Sequence, residues 1–172
     1  MRNIILVGYM ACGKSSIGRL LAKRLGCRLL DTDTYIEQKA GKLIKEIFAD
    51  EGEAYFRQLE TDCIQELIQK YVKEGAEQVV FATGGGLPMR EENRKLLKQL
   101  GQVFLLKASQ ETIYERVKGD TTRPLLQCEN PLEKIGQMLG QRREAYEDAA
   151  DITISVDGKT RDEIADEILS NR

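Results

Sequence analysis

The stretch "GYMACGKSS" at residues 8–16 fits the pattern G-x-x-x-x-G-K-[ST], the signature of a phosphate-binding loop between a strand and a helix. Before it, "NIILV" at residues 3–7 is a continuous apolar run of the length of a buried parallel strand. After it, apolar residues recur every three or four positions up to Gly26, a pattern that predicts a helix. Backbone N–H groups of such a loop bind phosphate oxygens, so the sequence predicts a bound nucleoside triphosphate.

Each position of the loop has an expected role in holding the nucleotide. Lys14 is predicted to bridge the β- and γ-phosphates, and the Ser15 hydroxyl is predicted to coordinate Mg²⁺. Cys12 is interpreted as a small residue that fits the turn, with a reactive thiol as the alternative. The other loop residues expected at the nucleotide site are Gly8, Ala11, Gly13 and Ser16.

Alternating strand and helix patterns continue along the rest of the chain. Further strands are expected within "CRLLD" (27–31), "QVVFATGGG" (78–86), "QVFLLKA" (102–108) and "DITIS" (151–155). Helices are expected over residues 34–40, 43–49, 52–73, 90–100, 109–117, 132–147 and 160–170, with a loop over 118–131. This alternation predicts an α/β fold with a doubly wound parallel sheet, and the length of 172 residues predicts one domain, 1–172.

Composition excludes several classes of function. The net charge of -2 carries no dominant basic stripe, so nucleic acid is not an expected partner. No apolar run approaches the ~20 residues of a membrane span, and the apolar start of the chain leads into the phosphate loop rather than a cleavage site. The four cysteines form no C-x-x-C pair, which favours a reducing cytoplasm.

The chain contains no histidine, which restricts the possible chemistry. Nucleophiles activated by histidine and the usual zinc sites are excluded. A general base must therefore be a carboxylate, a lysine or a tyrosine.

Three polar or glycine-rich segments follow predicted strands. They are the phosphate loop, "DTD" at residues 31–33 and "TGGG" at residues 83–86. Ligands of doubly wound sheets bind at the carboxyl ends of the strands. The sequence therefore predicts that these three loops meet in one crevice.

The phosphate loop, "DTD", "FRQLE" (56–60), "TGGG" and "TTRPLL" (121–126) follow one another in an order and at separations that resemble the shikimate kinase family. The resemblance covers nearly the whole chain. It implies a five-stranded sheet in the order 2-3-1-4-5, a substrate-binding region at about 32–73 and a mobile lid at about 118–130. It also implies transfer of the γ-phosphoryl group of ATP to the 3-hydroxyl of shikimate with Mg²⁺, by a cytoplasmic monomer.

The resemblance implies which residues bind the acceptor. Arg57 matches the arginine that binds the substrate carboxylate, an assignment that suits its planar fork of donors. Arg142 best matches a second such arginine, with its neighbour Arg143 as the alternative. Glu60, one helical turn after Arg57, is expected to hold the guanidinium in place.

Other acceptor-side residues follow from the same resemblance. Asp33 matches the carboxylate that contacts the substrate hydroxyls and assists deprotonation, and Asp31 matches the one near magnesium, through water. Phe56 is expected to wall the apolar side of the ring, with plain core packing as the alternative. The segment expected to bind substrate through its backbone is Gly84, Gly85 and Gly86.

Three more arginines are assigned to the nucleotide side. Arg123 matches the lid arginine that stabilises charge on the transferring phosphoryl group. Arg116 matches an arginine that stacks on adenine, and Arg161 lies in the stretch that lines the adenine pocket. The sequence departs from the family mainly at Ala11, where many members carry glycine.

Rival functions remain open on the residues alone. Gluconate kinase is another small-molecule kinase of this fold, and gluconate also offers a carboxylate and hydroxyls. The joint presence of the "FRxxE", "GGG" and "RPLL" segments argues against it. A regulatory nucleotide-binding protein that has lost catalysis would be expected to lack Lys14, Asp33 or Arg123, and all three are present. A nucleic-acid-dependent ATPase is disfavoured by the small size and the near-neutral charge.

Overall fold

The computed structural model describes residues 2–75, 77–120 and 128–172. A parallel five-stranded sheet forms its centre, in the order β2-β3-β1-β4-β5. The strands are β1 (Ile4–Val7), β2 (Arg28–Asp31), β3 (Val79–Ala82), β4 (Gln102–Lys107) and β5 (Ile152–Ser155). The α/β fold class and the strand order predicted from the sequence are confirmed.

Helices cover the sheet, as crossover connections between parallel strands require. Among the described residues the α-helices are α1 (Lys14–Leu25), α2 (Thr32–Ala40), α3 (Ile44–Ile68), α4 (Glu91–Leu100), α5 (Gln110–Val117), α6 (Pro131–Ala149) and α7 (Arg161–Ser170). None of the helices in the described part of the chain is long and apolar enough to cross a membrane.

The region 43–73 contains the two helical stretches predicted over 43–49 and 52–73, with a break between them. One helical element, α3, spans both, but Gly52 interrupts it with φ 84° and ψ 172°. Glycine adopts this backbone conformation without the steric cost that a side chain would add. Beyond Ile68 the chain continues as a wider π-helical turn, Gln69–Lys73. The break at Gly52 separates the first two turns of α3 from the part that carries Arg57.

The core lies on both faces of the three central strands. Every residue of β1 and β3 is buried, and so are Val103–Leu106 of β4. Burying a side chain such as Leu or Ile contributes about 1.5–3 kcal/mol, so these strands hold the frame of the molecule rigidly. The same frame fixes the loops at the carboxyl ends of the strands.

Candidate functional site

The three predicted loops do converge at one edge of the sheet. Because β1 lies beside β3 and β3 lies beside β2, the segments that follow these strands are spatial neighbours. Asp31, at the end of β2, is in register with Ala82 at the end of β3. The Thr83 N–H donates to the Leu6 carbonyl at 3.1 Å. This bond ties the start of the glycine segment, Gly84–Gly86, to β1.

The phosphate loop is a tight turn with three residues at positive φ: Gly8 at 144°, Ala11 at 57° and Gly13 at 108°. A Cβ at Gly8 would lie 2.6 Å from the Leu106 carbonyl oxygen, so the loop requires glycine there. Ala11 is the one described non-glycine residue in the left-handed region, where L-residues lose roughly 1–2 kcal/mol. The expected departure at Ala11 therefore falls on a position where glycine would be less strained.

Lys14 lies over this loop. Its Nζ donates to the carbonyls of Gly8 and Tyr9 at 2.7 and 2.9 Å and contacts Cys12 Sγ at 3.7 Å. Its ammonium is thereby held at the loop itself, within reach of groups that bind the loop amides. The Cys12 thiol is 1% exposed, which supports its reading as a small residue of the turn.

Ser15 and Asp31 place two side-chain oxygens, both possible metal ligands, next to each other at the phosphate loop. Ser15 Oγ donates to Asp31 Oδ2 at 3.4 Å, while Asp31 Oδ1 accepts from the N–H groups of Asp33 and Thr34 and caps α2. The described residues hold no cluster of three or more His, Cys, Asp or Glu side chains suited to a metal. Mg²⁺ is usually held by one or two protein oxygens together with water and substrate phosphates, and this pair fits that mode.

Asp33 lies against the backbone of the glycine segment. A Cβ at Gly84 would overlap Asp33 Oδ1, so the carboxylate can sit there because Gly84 has no side chain. Oδ1 is buried and has no hydrogen-bond partner among the described residues. Burial raises the pKa of Asp33 to about 6, Asp31 adds to the rise, and Lys14 and Arg57 oppose it. An unpaired carboxylate with a pKa near neutrality suits a proton acceptor.

Arg57 lies against the same segment, two residues further along. A Cβ at Gly86 would overlap the Arg57 guanidinium. Glu60, only 1% exposed, accepts from Arg57 Nη1 at 2.8 Å, as the sequence predicted. Glu53 accepts from Nε and Nη2 at 3.3 and 3.1 Å. Two glutamates therefore fix the orientation of one half-buried guanidinium.

One aromatic ring, that of Phe56, lies beside Arg57. The guanidinium lies 5.5 Å from the ring centroid of Phe56, and Phe56 packs against Phe48 at 4.9 Å between centroids. Phe56 is buried, whereas Phe48 is 37% exposed. Phe48 was not predicted as a site residue, because it precedes the break at Gly52 and no motif marks it.

Helix α6 brings a second arginine to the crevice. Arg142 lies over the Tyr9 ring at 5.5 Å, next to the phosphate loop. The neighbouring Arg143 is mostly exposed and pairs with Glu147 at 3.0 Å. Of the two alternatives left by the sequence, Arg142 is the one that contacts Tyr9 of the phosphate loop through its guanidinium.

The two predicted nucleotide arginines within the described residues both contact the phosphate-loop region. Arg116 Nη1 donates to the Ala11 carbonyl at 2.8 Å, and Arg161 Nη1 donates to Ser16 Oγ at 3.3 Å. Arg123 and most of the predicted lid lie outside the described residues.

Sequence reasoning missed three contacts of the site. Glu53 could have been suspected from its spacing, since it lies one turn before Arg57 on the same helix. Thr32 Oγ1 accepts from the Gly84 N–H at 3.0 Å, and the Tyr146 hydroxyl donates to the Gly85 carbonyl at 2.7 Å. Both of these join segments far apart in sequence, and no local pattern announces such contacts.

Comparison with known proteins gives consistent matches over nearly the full length. The family model described as shikimate kinase matches residues 10–171. The shikimate kinase of Thermodesulfovibrio yellowstonii is 44% identical, covering 98% of this chain and 94% of the relative. The shikimate kinase of Persephonella marina is also 44% identical, covering 98% of both chains.

Solved structures show the same likeness. The shikimate kinase of Acinetobacter baumannii, solved in complex with shikimate, is 40% identical, with a TM-score of 0.86 over 99% of this chain and 92% of that one. A gluconokinase from Sinorhizobium meliloti is 18% identical, with a TM-score of 0.58 over 98% of this chain and 90% of that one. At that identity the gluconokinase shares the fold alone.

Proposed function

The chain belongs to the shikimate kinase family, and we propose that it transfers the γ-phosphoryl group of ATP to the 3-hydroxyl of shikimate. One observation carries this proposal: a carboxylate and a guanidinium lie on neighbouring glycines beside a phosphate loop. Asp33 covers Gly84 and Arg57 covers Gly86. Shikimate carries one carboxylate and three hydroxyls, so it needs a cation for the carboxylate and a hydrogen-bond acceptor for the hydroxyls.

Binding of the acceptor uses complementary charge. The Arg57 guanidinium, oriented by Glu53 and Glu60, takes the shikimate carboxylate. Arg142 supplies a second cation from α6 and leaves Arg143 on the exposed side. Because two glutamates already partner Arg57, this second positive charge offsets their repulsion of an anionic substrate.

The chemical step requires a base beside the attacking hydroxyl. The hydroxyl oxygen forms a bond to the γ-phosphorus while the bond from that phosphorus to the bridging oxygen breaks, and ADP leaves with the electron pair. The hydroxyl proton passes to Asp33, whose buried Oδ1 has no partner among the described residues. Its pKa of about 6 leaves the carboxylate mostly ionised at neutral pH and makes it a stronger base than an ordinary carboxylate. No other described carboxylate at the acceptor side combines these two properties.

Charge on the phosphates is balanced by the phosphate loop and its cations. Lys14 at the loop stabilises the charge that develops on the γ-phosphoryl group. Ser15 and Asp31 would hold Mg²⁺, which neutralises phosphate charge when bound. Arg116 and Arg161 bond Ala11 and Ser16 of the loop region, and the family resemblance assigns both to the adenine side of the nucleotide. Arg123 is assigned by the family resemblance alone.

A coupled assay of ADP release with ATP and Mg²⁺ tests the proposal. We expect turnover with shikimate and none above background with gluconate, because gluconokinase resembles this chain only at the level of the fold. Arg142→Ala and Arg143→Ala form a matched pair, and only the first should raise the KM for shikimate. Equal turnover of the two acceptors, or turnover of gluconate alone, would contradict the proposed function.

Three further predictions about the state of the enzyme are proposals supported by the sequence and by the family resemblance. They are a single domain, a monomeric assembly and a cytoplasmic location without nucleic-acid or membrane partners. Sedimentation of the purified chain near a mass of 19.4 kDa would support the monomer. A stable species of twice that mass would contradict it.

A further inference from the structure

The three carbonyls of the glycine segment are hydrogen-bonded in two different ways. The Gly84 carbonyl accepts from the Leu87 N–H at 3.2 Å, and the Gly86 carbonyl accepts from the Met89 N–H at 3.1 Å. Both bonds belong to the short 3-10 turn that follows the segment. The Gly85 carbonyl instead accepts from the Tyr146 hydroxyl at 2.7 Å. The middle peptide is therefore held by α6, 61 residues later in the chain.

The Tyr146 hydroxyl stays protonated and can therefore donate a hydrogen bond. Tyr146 is 4% exposed, and burial raises the pKa of its hydroxyl to about 12, although the neighbouring Arg142 opposes the shift. The hydroxyl thus keeps its proton throughout the range in which a kinase works. Arg142 lies one turn earlier on the same face of α6. One face of α6 therefore contacts the glycine segment through Tyr146 and the Tyr9 ring through Arg142.

The bond to Gly85 also determines where the next N–H points. A trans peptide is planar, so the Gly85 carbonyl and the Gly86 N–H belong to one rigid unit and point in opposite directions. Glycine flanks this unit on both sides, and glycine backbones rotate more readily than those of other residues. Without a partner for the carbonyl, the unit could turn over. No described residue accepts a hydrogen bond from the Gly86 N–H.

We propose that Tyr146 is a positioning residue: it holds the Gly85 carbonyl so that the Gly86 N–H faces the crevice and donates to an oxygen of the acceptor. The N–H stands on the residue whose Cα is covered by Arg57, and so lies next to the group that binds the carboxylate. This inference rests on the proposed function for the identity of the acceptor. It adds a determinant of acceptor binding that lies in α6 and touches no substrate.

The test compares Tyr146→Phe with Tyr71→Phe. Each change removes one buried hydroxyl and keeps the ring, but the Tyr71 hydroxyl accepts from Arg28 at the opposite end of β2, far from the crevice. Tyr146→Phe is expected to raise the KM for shikimate about five- to tenfold, the worth of one neutral hydrogen bond, with the KM for ATP within about twofold. Tyr71→Phe is expected to leave both constants within about twofold.

Equal changes in both KM values for Tyr146→Phe, or a change no larger than that of Tyr71→Phe, would overturn the inference. If the unmutated enzyme did not use shikimate, the proposed function would be wrong, but the role of Tyr146 could still be tested by a crystal structure. A crystal structure of Tyr146→Phe should show the Gly85–Gly86 peptide turned over or in two orientations. A single unchanged orientation would overturn the inference.

A measurement on the unmutated protein remains decisive even if Tyr146→Phe does not fold. In nitrogen–proton correlation NMR, the Gly86 amide signal should move on addition of shikimate, while the Tyr71 region stays unchanged. A Gly86 signal that does not respond to a saturating acceptor would also overturn the inference.

Discussion

The phosphate loop and the glycine segment are both glycine-rich turns at the carboxyl ends of neighbouring strands, but they are held in different ways. Within the phosphate loop, Lys14 bonds the carbonyls of Gly8 and Tyr9, at most six residues away, and Arg116 of α5 adds one bond to the Ala11 carbonyl. The glycine segment is held from a distance, by Thr32 through Gly84 and by Tyr146 through Gly85. A loop whose conformation is determined mostly by its local sequence can occur in many kinases. A site assembled from distant elements can be specific to one acceptor.

This difference predicts that variants on the two sides affect separate parts of the reaction. Changes at the phosphate loop should act on turnover, because its groups face the reacting phosphates. Changes around the glycine segment should act on the acceptor and leave the nucleotide bound.

The largest effect is expected for Lys14→Met. Removing the cation that faces the γ-phosphoryl group should lower kcat roughly 10³-fold, while the thermal unfolding temperature stays close to that of the unmutated enzyme. Steady-state kinetics and calorimetry measure the two quantities. Lys98→Met, an exposed change on α4, is the control and should retain full activity. Turnover of the Lys14 variant comparable with the control would remove the phosphate-loop assignment.

The next effect is expected for Arg57→Ala. Its guanidinium binds the acceptor carboxylate, so the free energy of shikimate binding should weaken by about 2–3 kcal/mol, with Arg142 still contributing. The ATP affinity should change little, since no described nucleotide-loop residue contacts Arg57. Isothermal titration with each ligand, alongside Arg143→Ala as the matched surface change, separates the two affinities. An equal loss of ATP and shikimate affinity would mean that the two regions are not energetically separate.

A smaller effect is expected for Asp33→Asn, which should make the folded protein more stable above pH 6. The folded-state pKa of Asp33 is raised from 3.8 to about 6, so the folded protein binds this proton more tightly than the unfolded chain does. The stability contributed by this group is fully present below pH 3.8 and is lost as the pH rises through about 6.

Asp33→Asn should therefore be more stable than the unmutated protein at pH 8 by about 1–3 kcal/mol, and the two should converge near pH 4. Denaturant titrations at several pH values measure this, with the exposed Asp62→Asn as the control. In the unmutated enzyme, kcat/KM should rise with pH through about 6 as Asp33 ionises. A stability difference independent of pH would show that the carboxylate is not desolvated.

The smallest effect is expected for Ala11→Gly in the phosphate loop. Ala11 has φ 57°, so glycine should relieve backbone strain and raise the free energy of unfolding by up to about 1 kcal/mol. Ala145→Gly makes the same chemical change in the interior of α6, where it should lower stability by roughly 0.5–1 kcal/mol. Thermal unfolding of both variants checks the prediction, which would be wrong if the two shifts had the same sign.

The same contrast explains how much the sequence could predict. The phosphate loop, the strand order and the Arg57–Glu60 pair were predictable, because local spacing or the family resemblance specifies them. A break near Gly52 was also predictable, since the sequence pattern gives separate helices over 43–49 and 52–73. The Tyr146–Gly85 contact was missed because it depends on how α6 packs on the sheet, and that packing is a property of the whole fold.

The central claim is that the acceptor side places the 3-hydroxyl of shikimate, and no other group, in line with the γ-phosphate. Phosphorus–proton correlation NMR of the isolated product tests it most directly. We expect one phosphorylated product, in which phosphorus couples to the proton on the carbon that carries the 3-hydroxyl. Coupling to another ring proton, or a mixture of phosphorylated isomers, would contradict the arrangement of Asp33 and Arg57 around the glycine segment.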